Sequence, residues 1–162
     1  MDDVPGEPGD EDADEHEQAD VEGFHGSDCI GDGYAPSMTA SAPSRPLVVK
    51  ITAGTNDPER ANQGFTVAAA AVSAGAQVSV WLTGEAVWMA VPGHAEEFEL
   101  PHAAPLDALV ALLLLSGRIT VCTQCAARRE LTESDLLPGV VISGAASYVD
   151  EVLAEGVQAL VY

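Results

Sequence analysis

Two cysteines separated by two residues are the side chains of this sequence with the clearest capacity for chemistry. Cys122 and Cys125 follow the β-branched residues 119–121, which are typical of a strand, and a helix start is expected just after the cysteine turn. A helix start directs unpaired backbone N–H groups outward and favours an anionic sulfur. Arg128 and Arg129 add positive charge within the next turn. The pattern therefore predicts a reactive thiol at the end of a strand.

Other interpretations of the CxxC pair are weaker. Free cysteines are often buried as small apolar side chains, which is the structural alternative. A thioredoxin-type motif usually follows the first strand of its core, with an aromatic residue or Gly-Pro between the cysteines, whereas this pair follows the third strand and encloses Thr123 and Gln124. A structural zinc site needs four ligands, and His94 and His102 lie on separate loops.

The loop at residues 52–58 is the other candidate for ligand binding. It contains Gly54 and ends at a helix start, where an anion could bind. It has neither the glycine spacing of a dinucleotide loop nor the Gly-Lys-Ser/Thr of a P-loop. Asp57 as a cap and Pro58 at the first helical position favour an ordinary capped turn between a strand and a helix. No cofactor or metal is expected.

Charge divides the chain into two parts. Residues 1–44 hold 13 acidic residues and no Lys or Arg, whereas residues 45–162 hold 13 acidic and 6 basic residues, a net charge of −7. The first part has too few branched aliphatic residues to bury a core and is expected to be a disordered acidic tail, in which Cys29 is an unpaired thiol. The second part is expected to be one domain. The acidity disfavours nucleic acid and anionic membrane surfaces as partners.

Targeting signals are not apparent in the sequence. The N-terminus is acidic where a secretory signal would be basic. The apolar run at residues 109–115 is far shorter than the roughly 20 residues that a membrane helix needs. Three cysteines are too few for a disulfide framework. These observations lead us to expect a cytoplasmic protein.

Strand and helix patterns alternate along residues 45–162, which predicts an α/β fold: three α/β/α layers around a mainly parallel sheet of about five strands. Strands are expected at residues 47–52, 77–82, 118–122, 140–142 and 158–162, and helices at residues 58–75, 105–115 and 145–155. The order of the strands cannot be obtained from the pattern. The helix at residues 105–115 is apolar on most sides, which indicates deep burial or a subunit interface.

In this order the elements resemble the DsrE/DsrF-like family, which includes the TusD-type sulfur-relay proteins. The resemblance is carried by Asp57-Pro58-Glu59-Arg60, Gly75-Ala76-Gln77-Val78, Gly84, Val87, Pro105-Leu106, Gly117 through Cys122, Gly139 and Gly144. It implies a three-layer domain that assembles into homo-oligomers, trimers or hexamers. It also implies that Cys122, at the position of the relay cysteine, carries persulfide sulfur between a donor and an acceptor protein.

Three hypotheses for function follow from the sequence. The first is a sulfur carrier or sulfurtransferase in which Cys122 holds the sulfur and Cys125 resolves the persulfide by forming a disulfide. The second is a non-catalytic oligomeric binding module that keeps the fold and uses its loops for a ligand. The third is a thiol redox switch built on a reversible Cys122–Cys125 disulfide.

Overall fold

A computed structural model describes residues 45–162, which form five strands and four helices with two short 3₁₀ segments. The strands are β1 (Leu47–Ile51), β2 (Val78–Leu82), β3 (Arg118–Cys122), β4 (Val141–Ser143) and β5 (Gln158–Val161). The helices are α1 (Pro58–Ser73), α2 (Leu106–Ser116), α3 (Thr123–Ala127) and α4 (Ala145–Val152), with 3₁₀ segments at Gly84–Ala90 and Glu133–Asp135. The predicted acidic tail and Cys29 lie outside the described residues.

The five strands form one sheet in the order β4-β3-β2-β1-β5, and every neighbouring pair is parallel. The register aligns Lys50 of β1 with Trp81 of β2, and Trp81 with Thr120 of β3. Because side chains alternate between the two faces of a strand, these three residues share one face. The parallel sheet with helices on both faces confirms the predicted α/β class.

The main core lies on the opposite face of the sheet. There the aliphatic residues of β1, β2 and β3 pack against α1, α2 and the 3₁₀ segment Gly84–Ala90. Phe65 of α1 and Leu113 of α2 are fully buried. Val49 and Val80 complete the centre of this core at 0% exposure. Complete burial of one such side chain stabilises the fold by about 1.5–3 kcal/mol.

Among the described residues, α4 is the helix that covers the second face. Tyr148 of α4 packs edge-on against the Trp81 ring, with 5.3 Å between ring centroids. Glu151, one turn later, accepts a hydrogen bond from Trp81 Nε1 at 2.7 Å and pairs with Arg118 at 2.5 Å. No residue of α4 is buried, so its attachment depends on these polar and aromatic contacts.

The connections explain this division between the faces. Successive strands from β1 to β4 step in one direction, and α4 then carries the chain back across the sheet to β5 at the far edge. Right-handed crossovers require the helices of the forward steps and of the return step to lie on opposite faces. The chain therefore leaves β3 toward one face and β4 toward the other, which makes the gap between β3 and β4 a topological switch point.

The structure differs from the sequence-based expectation in two local elements, and it defines the conformation of a third, Gly84–Ala90, that the sequence pattern left open. The cysteines do not form a turn ahead of a helix, because α3 already begins at Thr123 and includes Cys125. The segment Gly84–Ala90 is a 3₁₀ helix, in which Met89 is buried in the core. Helix α4 ends at Val152, three residues earlier than expected.

Between residues 45 and 162, none of the helices has the length and apolar character required to span a membrane.

Candidate functional site

Cys122 is the last residue of β3 and lies at the switch point of the sheet. It is paired in register with Ser143, the last residue of β4. Gly144 follows directly and caps the N-terminus of α4. Ligands of open α/β sheets bind outside the carboxyl ends of the strands at such a point. The predicted position of Cys122 at a strand end is thus observed, and its side chain is half-buried.

Hydrogen bonds around Cys122 favour the thiolate. Cys122 occupies the N-cap position of α3, directly ahead of the unpaired N–H groups of the first helical turn. Partial burial raises the pKa of the thiol. Hydrogen bonds with the backbone and thiol of Cys125 and with the backbone of Gln124, together with the charge of Lys50, outweigh that effect and lower the pKa below its ordinary value.

Lys50 is the cation that favours the Cys122 thiolate, and the sequence interpretation missed it. It is the single lysine of the chain and extends from β1 onto the face that carries Trp81 and Thr120. Its Nζ lies 5.0 Å from the centre of the Tyr148 ring, a cation–π contact that holds the ammonium group over α4. A lysine within the otherwise aliphatic strand LVVKI was the available signal.

Cys125 is buried at 7% exposure and is the third residue of α3. Its sulfur accepts a hydrogen bond from the backbone N–H of Gly84 at 3.2 Å. Gly84 adopts a left-handed φ of 56°, and a Cβ there would lie 2.7 Å from the carbonyl oxygen of Thr52. The close contact that directs this N–H at Cys125 therefore requires glycine. Both cysteines are free thiols.

The two arginines expected to support the thiolate do not act as the sequence suggested. Arg129 pairs with Glu85 at 2.5 Å, which neutralises its charge. Arg128 is exposed, and within residues 45–162 its guanidinium has no ion-pair partner. Neither is among the groups that shift the pKa of Cys122, where the acting cation is Lys50.

The remaining candidates have structural roles. His94 stacks on the Trp88 ring at 5.2 Å between centroids. The loop after β1 forms the expected capped turn, in which Asp57 accepts from the N–H of Arg60. Gly54 packs so closely that a Cβ would lie 2.7 Å from the carbonyl oxygen of Glu85. Across the described residues, no group of three or more His, Cys, Asp or Glu side chains is arranged to hold a metal ion.

A cleft of about 680 Å³ runs between α4 and the sheet. Its lining extends from Arg118 and Ser79, where the strands begin, to Thr120 and Ser143 beside the cysteine site. Arg118 donates to Ser79 Oγ at 3.2 Å and pairs with Glu151. Arg118, Ser79 and Glu151 on this wall are thus already engaged with one another.

Comparison with known proteins identifies the fold and the family. The model of a family described as the DsrE/DsrF-like family matches residues 47–161. The crystal structure of the ychN protein from E. coli is similar with a TM-score of 0.62 at 15% identity, covering 73% of this chain and 99% of that one. MTH1491 from Methanobacterium thermoautotrophicum, a protein of unknown function, is similar with a TM-score of 0.51 at 14% identity, covering 74% and 99%. No curated protein matches the chain.

Proposed function

The chain belongs to the DsrE/DsrF-like family, and on that premise we propose that it is a sulfur carrier, a sulfurtransferase in which Cys122 holds the transferred sulfur as a persulfide. The observation that carries the proposal is the setting of Cys122: a half-buried thiol at a switch point and at the N-cap of α3, with a lowered pKa. Lowered thiol pKa values and partial exposure are the properties of cysteines that exchange sulfur.

The chemistry needs no cofactor. The Cys122 thiolate attacks the outer sulfur of a donor persulfide, forming a new S–S bond while the donor leaves as a thiolate. The product is a Cys122 persulfide. An acceptor thiolate then attacks the terminal sulfur, and Cys122 leaves as the thiolate it was before. The hydrogen bonds that lower the pKa of Cys122 favour that departure, because a better-stabilised thiolate leaves faster.

Cys125 has a second role in the proposal. Its thiol lies three residues after Cys122 in the first turn of α3 and its sulfur accepts the Gly84 N–H, so it can attack the inner sulfur of the persulfide. That attack forms the Cys122–Cys125 disulfide and releases the terminal sulfur as sulfide. No outside oxidant is needed, because the Cys125 thiol is oxidised while the terminal sulfur of the persulfide is reduced to sulfide. A carrier that finds no acceptor is thereby unloaded.

Mass spectrometry after incubation with a small-molecule persulfide donor tests the proposal. We expect the Cys122 peptide of the wild-type chain to gain one sulfur, and Cys122→Ser to gain none there. Cys125→Ser is the matched control, since it removes an equivalent atom three residues away, and its Cys122 persulfide should last longer. An unmodified Cys122 peptide in wild type and in Cys125→Ser would refute the proposal.

Self-association is part of the same proposal, with a trimer or hexamer as the expected assembly and a sulfur donor and acceptor as protein partners. Leu115 of α2 is 84% exposed, and Leu153, just past α4, is 77% exposed. We propose that these two leucines contribute to the contacts between subunits.

A thiol redox switch is the second candidate. The two cysteines are free thiols three residues apart at the start of α3, which favours a reversible disulfide. A redox titration with glutathione distinguishes the two functions. A disulfide that forms without any persulfide donor would favour the switch, whereas a disulfide that forms only after sulfur loading would favour the carrier.

A further inference from the structure

The side chain of Arg129 is mostly buried, and the proposed transfer steps do not involve it. It is only 14% exposed. One guanidinium nitrogen donates to Glu85 Oε1 at 2.5 Å and the other to the carbonyl oxygen of Cys125 at 3.2 Å. The guanidinium also lies over the Trp88 ring, 5.9 Å from its centre. A planar guanidinium held by an ion pair, a carbonyl and an aromatic face has little freedom, so it fixes the segments that it joins.

These contacts close a ring through Cys125. Gly84 donates its N–H to Cys125 Sγ at 3.2 Å, and the next residue, Glu85, pairs with Arg129. Arg129 returns to the carbonyl oxygen of Cys125. The 3₁₀ segment Gly84–Ala90 therefore contacts Cys125 directly at its sulfur and, through Arg129, at its carbonyl oxygen. We call the four residues Gly84, Glu85, Cys125 and Arg129 the Arg129 clamp.

We propose that Arg129 and Glu85 are positioning residues, which hold Cys125 so that its backbone N–H and its thiol face the sulfur of Cys122. The inference rests on the proposed function only for the identity of the reacting sulfur. Neither residue touches Cys122 or the transferred sulfur. Their effect passes through Cys125, which lies in the first turn of α3, three residues after the N-cap residue Cys122.

A direct electrostatic effect of Arg129 is the competing explanation. The two explanations predict opposite shifts in the pKa of Cys122 for Glu85→Gln. If the charge of Arg129 itself favoured the Cys122 thiolate, Glu85→Gln would leave that charge uncompensated and make the thiol more acidic. If the Arg129 clamp acts by position, Glu85→Gln loosens α3 and makes the thiol less acidic. The other titratable groups that act on Cys122 are Lys50 and Cys125, and both remain unchanged in this variant.

The experiment is iodoacetamide alkylation of Cys122 across a pH series, read on the Cys122 peptide by mass spectrometry. For Arg129→Gln and for Glu85→Gln we expect the pH midpoint of Cys122 alkylation to rise by roughly 0.5–1 pH unit. Alkylation at neutral pH should then slow about three- to tenfold. Arg129→Lys keeps the charge but cannot donate to both Glu85 and the Cys125 carbonyl in the planar geometry of a guanidinium. Its alkylation rate should lie between those of Arg129→Gln and wild type. Arg128→Gln is the matched control, since it removes the same charge one residue away, and its midpoint should equal that of wild type.

Each of several results would overturn the inference. These are a lower midpoint in Glu85→Gln, an unchanged midpoint in Arg129→Gln, or an equal rise in Arg128→Gln. Thermal unfolding of every variant checks the fold, and Glu85, with its side chain 42% exposed, is a position where substitution should leave the domain folded. Alkylation needs no sulfur donor. A failed persulfidation of Cys122 would therefore remove the proposed function without deciding this test.

Discussion

At the scale of single residues, the thiol of Cys122 experiences opposing influences. Partial burial alone would raise its pKa, and only the hydrogen bonds from Cys125 and Gln124, with the charge of Lys50, bring the pKa below its ordinary value. Its reactivity therefore depends on a few polar contacts, and each contact can be removed separately. The smallest of these influences, Lys50, is also the simplest to isolate.

Replacing Lys50 by Gln should raise the pKa of Cys122, because the positive charge that favours the thiolate is lost. The charge acts across two strands, so screening limits the expected rise to a few tenths of a pH unit. Alkylation of Cys122 as a function of pH measures it. Arg45→Gln removes a positive charge ahead of β1, at the opposite end from Lys50, and should leave the midpoint unchanged. A fall in the Lys50→Gln midpoint would contradict the assignment.

The sequence was sufficient to locate the cysteine pair but not the groups around it. Cys122 and Cys125 are three residues apart, so their proximity follows from the local pattern. Lys50 reaches the site only because β1, β2 and β3 lie side by side, an order that the sequence does not reveal. The partner of Arg129 is 44 residues away in the chain, and the pattern of charges near the cysteines gave no sign of it.

At the scale of the elements, α4 is a helix that packs on the sheet without burying any of its residues completely. Its attachment relies on Glu151, whose two carboxylate oxygens serve different partners, Arg118 and Trp81. The same helix carries Tyr148, which holds the ammonium group of Lys50. The docking of α4 therefore supports one side of the cysteine site.

Glu151→Ala should lower the free energy of unfolding by about 1–3 kcal/mol, because it leaves the Trp81 Nε1–H and the Arg118 guanidinium without their acceptor. Urea unfolding followed by circular dichroism measures the loss. Asp150→Ala removes the exposed carboxylate next to it and should change the free energy by less than about 0.5 kcal/mol. Equal losses in the two variants would show that Glu151 does not anchor α4.

Most elements could be predicted because their sequence signals agree with one another. The β-branched strands and the Asp57-Pro58 helix start both appear in the structure. The short elements were harder, because residues 84–90 and 123–127 are too brief to show a helical period. Their conformation is set by tertiary contacts, such as the Gly84 N–H directed at Cys125.

At the scale of the whole molecule, the burial pattern of α2 bears on whether its apolar sequence serves the domain core or a subunit interface. Leu106, Val110 and Leu113 face the core, whereas Ala111 and Leu115 remain exposed. Burial within the domain therefore accounts for only part of the apolar surface of this helix. The exposed part supports the proposed self-association.

Leu115→Glu should reduce the assembly size, because a buried, unpaired charge at a subunit contact costs several kcal/mol. Sedimentation velocity of wild type and variant measures the mass. Ser116→Glu introduces the same charge at the neighbouring exposed position, which is already polar, and should leave the mass unchanged. A wild-type chain that sediments as a monomer would refute self-association.

The account depends most on the acidity of one sulfur, and titrating the Cys122 thiol of the wild-type chain tests it most directly. Peptide-resolved alkylation between pH 5 and pH 10 gives the midpoint without any sulfur donor or partner. We expect a midpoint below about 8.5, the ordinary value for a thiol. A midpoint at or above about 8.5 would mean that burial prevails over the hydrogen bonds, and it would contradict a carrier role for Cys122.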